Sequence, residues 1–201
     1  PDSSAAKRFA VRAMRLYGRV IPSDTSCLEP TDSPSLRILI QSMGGIGNTL
    51  MATPLIAEAR RLYPNAQIDL LTSPPAARLL ESDDRISNVI PDPNPGGDVR
   101  LIRKIRSTRY DAAVVALNAH LSKFAMRIVF GRIPRRLMHG YPFRPYDDFS
   151  TAYTSVLERP DGQHDVLCNL DLLQILAGSP TEAAPLQLSV PKDVATQARK
   201  R

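Results

Sequence analysis

The sequence is short of the residues that build disulfide frameworks, metal centres and membrane spans. Its 201 residues include only two cysteines, Cys27 and Cys168. Two are too few for a framework, and they read as reduced thiols of a cytoplasmic protein. The three histidines form no Cys/His cluster of metal-ligand spacing, so no metal is expected. No run approaches the roughly 20 apolar residues of a membrane-spanning helix. The N-terminus lacks the apolar core of a signal peptide, and no internal repeat is visible. What is present is ordinary: a hydrophobic content of 43% and a length that suits one α/β domain with a proper core plus extra segments.

Acidic residues are also scarce through the middle of the chain. Between residues 98 and 145 stand Arg100, Arg103, Lys104, Arg106, Arg109, Lys123, Arg127, Arg132, Arg135, Arg136 and Arg144, against only Asp98 and Asp111. This stretch carries more than the whole formal net charge of +6. Phosphorylated glycolipids, an anionic membrane or nucleic acid would fit such a balance. Nucleic acid is disfavoured, because the run matches no helix-turn-helix, zinc or RRM pattern. Most of Arg100–Arg109 reads as solvated helix face. Arg135 and Arg136, near a strand end, are the candidates for a ligand cleft.

Residues 4–21 read as an amphipathic helix. Ala10, Met14, Tyr17 and Ile21 share one face with Phe9, Leu16 and Val20, and Lys7, Arg8, Arg12, Arg15 and Arg19 lie largely opposite. Such a helix either lies on an anionic membrane surface or packs on the domain with its basic face in water. Residues 22–35 read as a linker. From residue 36 strands and helices alternate. Strands are expected at 36–41, 66–71, 86–91, 111–117 and 135–139, and helices at 49–63, 74–82, 98–107, 119–130 and 164–177. Alternation of this kind means a parallel sheet with right-handed crossovers, strand 36–41 being central. Residues 141–162 look irregular, and Gly178 is placed to end the last helix.

The chemistry is concentrated in one turn, Met43-Gly44-Gly45-Ile46-Gly47-Asn48-Thr49, between the first strand and the first helix. Backbone N–H groups at such a turn face an anionic or sugar-like ligand, and glycine lets that ligand approach. A Walker-type loop is excluded, because Asn48-Thr49 and no lysine follow Gly47. A dinucleotide fingerprint is excluded too. Its third glycine would fall at Leu50, and Asp69, the one acid near the right spacing, lies inside a strand. A plain structural turn remains the alternative.

The segment Ile38–Leu55, the helix ending Arg61-Leu62-Tyr63-Pro64, and the later stretches Ile86–Asp92, Arg109–Val115 and His164–Gly178 resemble, in order and spacing, glycosyltransferase family 9. That is the family of ADP-heptose:lipopolysaccharide heptosyltransferases, and the resemblance covers roughly residues 36–191. It implies a Rossmann-like sheet flanked by helices, the N-terminal, acceptor-side half of a GT-B glycosyltransferase. The chain starts at Pro1 and stops at Arg199-Lys200-Arg201, and it reads as a piece of something longer. Residues 1–35 are then the basic helix and linker, 36–191 the acceptor-side domain, and 192–201 the start of an interdomain linker, with the donor half absent and the piece alone inactive. The resemblance further implies metal-independent, inverting transfer without a cofactor. The co-substrate is a nucleotide-sugar, ADP-heptose or similar, and the acceptor is a phosphorylated glycolipid or glycan at the inner face of the membrane. Gly44, Gly45, Gly47 and Thr49, with Arg135 and Arg136, would bind substrate. The family places an aspartate, its base, where this chain has Asn48, and an amide accepts no proton at neutral pH. Asn48 then either holds a hydroxyl or caps the helix. His120, at the end of the strand 111–117, is the substitute base by position, while His139 and His164 read as structural. A non-catalytic sugar- or phosphate-binding module and a Rossmann-like nucleotide-binding protein are the alternatives.

Overall fold

The computed structural model describes residues 12, 16–17, 20–42, 45–92, 97–116, 122–140 and 150–188. Gly44, His120, most of the basic helix and the segment 192–201 lie outside the described residues.

The first strand decides the layout. In β1 (Arg37–Ser42) the residues Ile38, Leu39 and Ile40 are all buried, so both faces of the strand are covered. Only a central strand of a sheet with helices on both sides has that pattern. Around it stand β2 (Gln67–Thr72), β3 (Asn88–Pro91), β4 (Ala112–Val115), β5 (Arg135–Gly140) and β6 (Ser155–Glu158). The order is β3-β2-β1-β4-β5-β6, and every neighbouring pair is parallel. The expected Rossmann-like parallel sheet with a central first strand is what the chain forms. β6 went unforeseen because it is an edge strand, partly exposed along its whole length, with only Val156 and Leu157 apolar.

The helices are α1 (Ile46–Leu50), α2 (Thr53–Leu62), α3 (Pro74–Leu80), α4 (Asp98–Thr108), α5 (Ser122–Phe130) and α6 (Asp165–Ala177). Leu55, Ile56 and Ala59 of α2 and Leu172, Leu173 and Leu176 of α6 pack with Ile38 and Ile40 on one face of the sheet. Leu101 and Ile105 of α4 and Phe124, Ile128 and Val129 of α5 cover Leu39, Leu71, Ala113 and Val115 on the other. The single helix expected at 49–63 is two helices. Pro54 has no N–H to donate back into the preceding turn, and the Thr53 hydroxyl takes the Leu50 carbonyl instead, at 2.8 Å. Gly178 ends α6 in the left-handed conformation (φ 67°), and a Cβ there would lie 2.8 Å from the Cys27 sulfur.

Residues 22–35 have no regular structure, yet they are fastened to the domain. Asp24 N–H donates to the Pro134 carbonyl at 3.1 Å and Leu28 N–H to the Leu176 carbonyl at 2.6 Å. The Tyr63 hydroxyl donates to the Leu28 carbonyl at 2.5 Å, and burial pushes that phenol up to about 12. Ahead of this segment, Tyr17 packs on Phe130 of α5 with ring centroids 4.9 Å apart, and Ile21 is buried. Leu16 and Val20, expected on the same apolar face, are instead 59% and 77% exposed.

Candidate functional site

The chain runs β1, β2, β3 in one direction across the sheet and then returns to place β4 on the other side of β1. The strand order therefore reverses between β1 and β4. In open parallel sheets ligands bind outside the carboxyl ends of the strands at that reversal. The glycine turn leaves β1 at this point.

At the turn, Gly45 is extended (φ −73°, ψ 171°) and precedes the five-residue α1 without capping it through a side chain. Neither Gly45 nor Gly47 has the positive φ that only glycine holds cheaply. A Cβ added at either would meet nothing within 4 Å. Glycine here is thus not required by the fold; its effect is to leave open space above the turn. Asn48 is half-buried inside α1, so it does not cap that helix, and its amide has no hydrogen-bond partner among the described residues. Of its two expected roles, capping is thus filled by another residue, Gly45 standing at the N-cap of α1. Thr49 is buried, and its hydroxyl sits 3.0 Å from that of Thr72, tying the turn to the carboxyl end of β2. It positions the turn rather than facing a ligand.

Beneath the turn lies a feature the sequence did not announce. Gln41 and Ser42, the last residues of β1, are fully buried, and neither the Gln41 amide nor the Ser42 hydroxyl has a partner among the described residues. A buried amide left unpaired costs about 1–3 kcal/mol. These groups close β1 at the reversal point, directly before the turn. The signal available in the sequence was a glutamine and a serine closing an otherwise apolar strand.

Arg135 and Arg136 are not part of this site. They begin β5 and so stand at the amino end of the sheet, opposite the turn. Arg135 pairs with Asp24 at 2.5 Å and donates to the Ser26 carbonyl at 3.0 Å. Arg136 is buried and donates to the carbonyls of Ala152 at 2.7 Å, Ile133 at 2.5 Å and Pro22 at 3.2 Å. Burial draws its guanidinium below the ordinary arginine range. The correction has a simple cause: a strand has two ends, and sequence proximity to a strand does not say which one faces the ligand. Arg127 is likewise committed, buried against Asp92 and Asp98 at 2.5 Å each.

The histidines inside the described region are structural. His139 is buried with Nε2 2.7 Å from the Cys168 carbonyl, and burial holds its pKa below the usual value. His164 caps α6, its Nδ1 accepting the Val166 N–H at 3.2 Å. Asp69 is buried too and accepts from the Tyr110 hydroxyl at 2.5 Å and from Gln67 and Asn88 at 2.8 Å each. It is a core acceptor and holds no ribose. Among the described residues no group of three or more His, Cys, Asp or Glu side chains could hold a metal, and no helix is long and apolar enough to cross a membrane.

No family model matches the chain, and no curated protein matches it in sequence. Solved structures do match in fold. A glycosyltransferase family 9 protein from Veillonella parvula superposes with a TM-score of 0.68 at 16% identity, over 88% of this chain and 50% of its own. ADP-heptose lps heptosyltransferase II of E. coli gives 0.63 at 21% identity, over 82% and 50%. The E. coli heptosyltransferase WaaC with ADP-2-deoxy-2-fluoro heptose gives 0.63 at 17%, over 76% and 51%. In fold, this chain is a Rossmann-like α/β domain similar to these glycosyltransferases over most of its length, and it spans about half of theirs.

Proposed function

We propose that this chain is the acceptor-side domain of a heptosyltransferase-like glycosyltransferase, one that moves a sugar from a nucleotide-sugar to a phosphorylated glycolipid or related glycan. The observation that carries this reading is the open Gly45–Asn48 turn, preceded by polar groups of Gln41 and Ser42 that are unpaired among the described residues, at the reversal point of a sheet whose fold neighbours are glycosyltransferases. In inverting transfer the acceptor hydroxyl attacks the anomeric carbon, the bond from that carbon to the diphosphate oxygen breaks, and a base takes the hydroxyl proton. Asn48 orients that hydroxyl through its amide. The base is His120, which follows β4 in the sequence. The donor, ADP-heptose or a similar nucleotide-sugar, is held by a second domain, so that the 201 residues alone do not turn over. The reaction needs neither metal nor cofactor, and the enzyme works in the cytoplasm at the inner face of the membrane. Exposed Leu16 and Val20 beside basic residues of the N-terminal segment support a peripheral membrane contact.

The test is release of nucleoside diphosphate by the full-length protein, with ADP-heptose first among the donors and a phosphorylated glycolipid as acceptor. Transfer that falls about 10²-fold in His120→Ala supports the assignment of the base. A second reading rests on Asn48 standing where the related enzymes have a carboxylate. Saturable binding of glycan to the turn, with no transfer from any nucleotide-sugar, would establish a non-catalytic binding module instead.

A further inference from the structure

The amino end of the sheet carries a second concavity, unrelated to the transfer site. A cavity of about 770 Å³ opens where α4 turns into β4 and where α5 turns into β5. Arg103 and Arg106 line it from the last turns of α4, Arg109 from the end of that helix, and Arg132 from the turn after α5. All four are exposed, and among the described residues none makes a side-chain hydrogen bond or ion pair. The carboxylate in the wall is Asp111, whose Oδ2 is already occupied by the Arg37 N–H at 2.8 Å.

The backbone adds a second observation. Arg109 and Arg132 are the described non-glycine residues with positive φ, 56° and 61°. Glycine is the low-cost residue at a left-handed helix exit, as Gly178 is for α6, and a side chain there costs roughly 1–2 kcal/mol. Just before Arg132, Gly131 has no room for a side chain, because a Cβ would lie 2.4 Å from Ile105 Cγ2 and 2.6 Å from the Arg127 carbonyl. α5 thus closes tightly on α4, and position 132 is the first that can present a cation to the cavity. Arginines at helix C-termini do complement the helix dipole, by about 0.3–1 kcal/mol each. That effect acts helix by helix and gives no reason for four guanidiniums from two helices to line one space, where they repel.

We propose that this cavity binds a phosphate-dense anion, a diphosphate or two adjacent phosphate groups, through the guanidinium forks of Arg103, Arg106, Arg109 and Arg132. The site stands a strand length, about 15–20 Å, from the glycine turn, so one small ligand does not reach both. It is therefore independent of the transfer reaction. The phosphates come from a free diphosphate or from the headgroups of an anionic lipid, and the experiment separates these sources.

Inorganic pyrophosphate is titrated into the protein by calorimetry, and co-sedimentation is measured with vesicles of phosphatidic acid in phosphatidylcholine. The Arg103→Gln/Arg106→Gln pair and, separately, Arg132→Asn are expected to weaken binding about tenfold or more. Asparagine tolerates the left-handed turn, so Arg132→Asn keeps the backbone. The Arg100→Gln/Lys104→Gln pair removes as much charge from exposed α4 positions outside the cavity wall and is expected to change binding less than about twofold. Pyrophosphate binding that depends on the cavity arginines, without vesicle binding, assigns the free anion. Vesicle binding with the same dependence assigns the lipid headgroup. Absence of both kinds of binding, or equal losses in the cavity variants and the control pair, overturns the proposal.

Discussion

The two ends of the sheet use polar residues in opposite ways. At the carboxyl end the Gln41 amide and the Ser42 hydroxyl are buried and, like the Asn48 amide in the turn that follows, have no partner among the described residues. At the amino end Arg136 is buried with at least three carbonyls around its guanidinium, while Arg103, Arg106, Arg109 and Arg132 stand exposed in a shared cavity. Residue type alone therefore does not mark function. A buried arginine saturated by backbone carbonyls holds the fold; a buried amide with nothing to bond costs free energy that a ligand can return.

The contrast is broken first by the arginines. Arg136→Met is expected to destabilise the chain by about 3 kcal/mol in urea unfolding, because the buried carbonyls of Ala152 and Ile133 lose their donor. Arg103→Gln, exposed and without a side-chain bond among the described residues, is expected to stay within about 0.5 kcal/mol. Similar losses for the two would erase the distinction between structural and free arginines.

Next comes the turn. Asn48→Ala in the full-length protein is expected to lower turnover about tenfold, the loss of one orienting hydrogen bond or about 1.4 kcal/mol. Asn48→Asp is expected to be tolerated. A loss as large as that of His120→Ala would make the amide central to the chemistry and remove His120 as the base.

Gln41 sharpens the comparison from the stability side. Replacing an unpartnered buried amide by methionine of similar size is expected to raise stability by about 1 kcal/mol while weakening acceptor binding. Thermal unfolding and ligand titration read the two effects separately. A destabilised Gln41→Met would show the amide to be part of the fold rather than of the site.

The smallest effect is a slope with pH. His139 is held neutral because burial outweighs the favourable Cys168 carbonyl, so its pKa in the fold is below the unfolded value of about 6.5. As pH falls through that value the unfolded chain takes up a proton first. Stability is therefore full above it and declines on acidification toward the folded pKa. The urea midpoint of the wild type should drop between about pH 7.5 and 5, and His139→Gln should flatten that drop. An unchanged slope would mean that His139 is not the residue responsible.

The strands β1 to β5 and the helices were legible in the sequence because apolar strand segments alternate there with amphipathic helical ones at regular spacing. β6 was not, being a half-exposed edge with two apolar residues, and neither was the break between α1 and α2, where Pro54 outweighed a continuous helical pattern. At the site, the sequence pointed to the glycine turn, Asn48 and Thr49 but could not say that Thr49 turns inward to Thr72, or that Gln41 and Ser42 lie unpaired below.

By itself the sequence determined the alternation of strand and helix, the central place of β1 and the turn that follows it. These rest on local pattern: apolar period, glycine and proline. Only the tertiary structure decided which arginines are spent on carbonyls and which make no side-chain bond among the described residues. That outcome depends on which end of a parallel strand a residue occupies and what crosses over it from distant positions, and neither is written in the neighbouring residues.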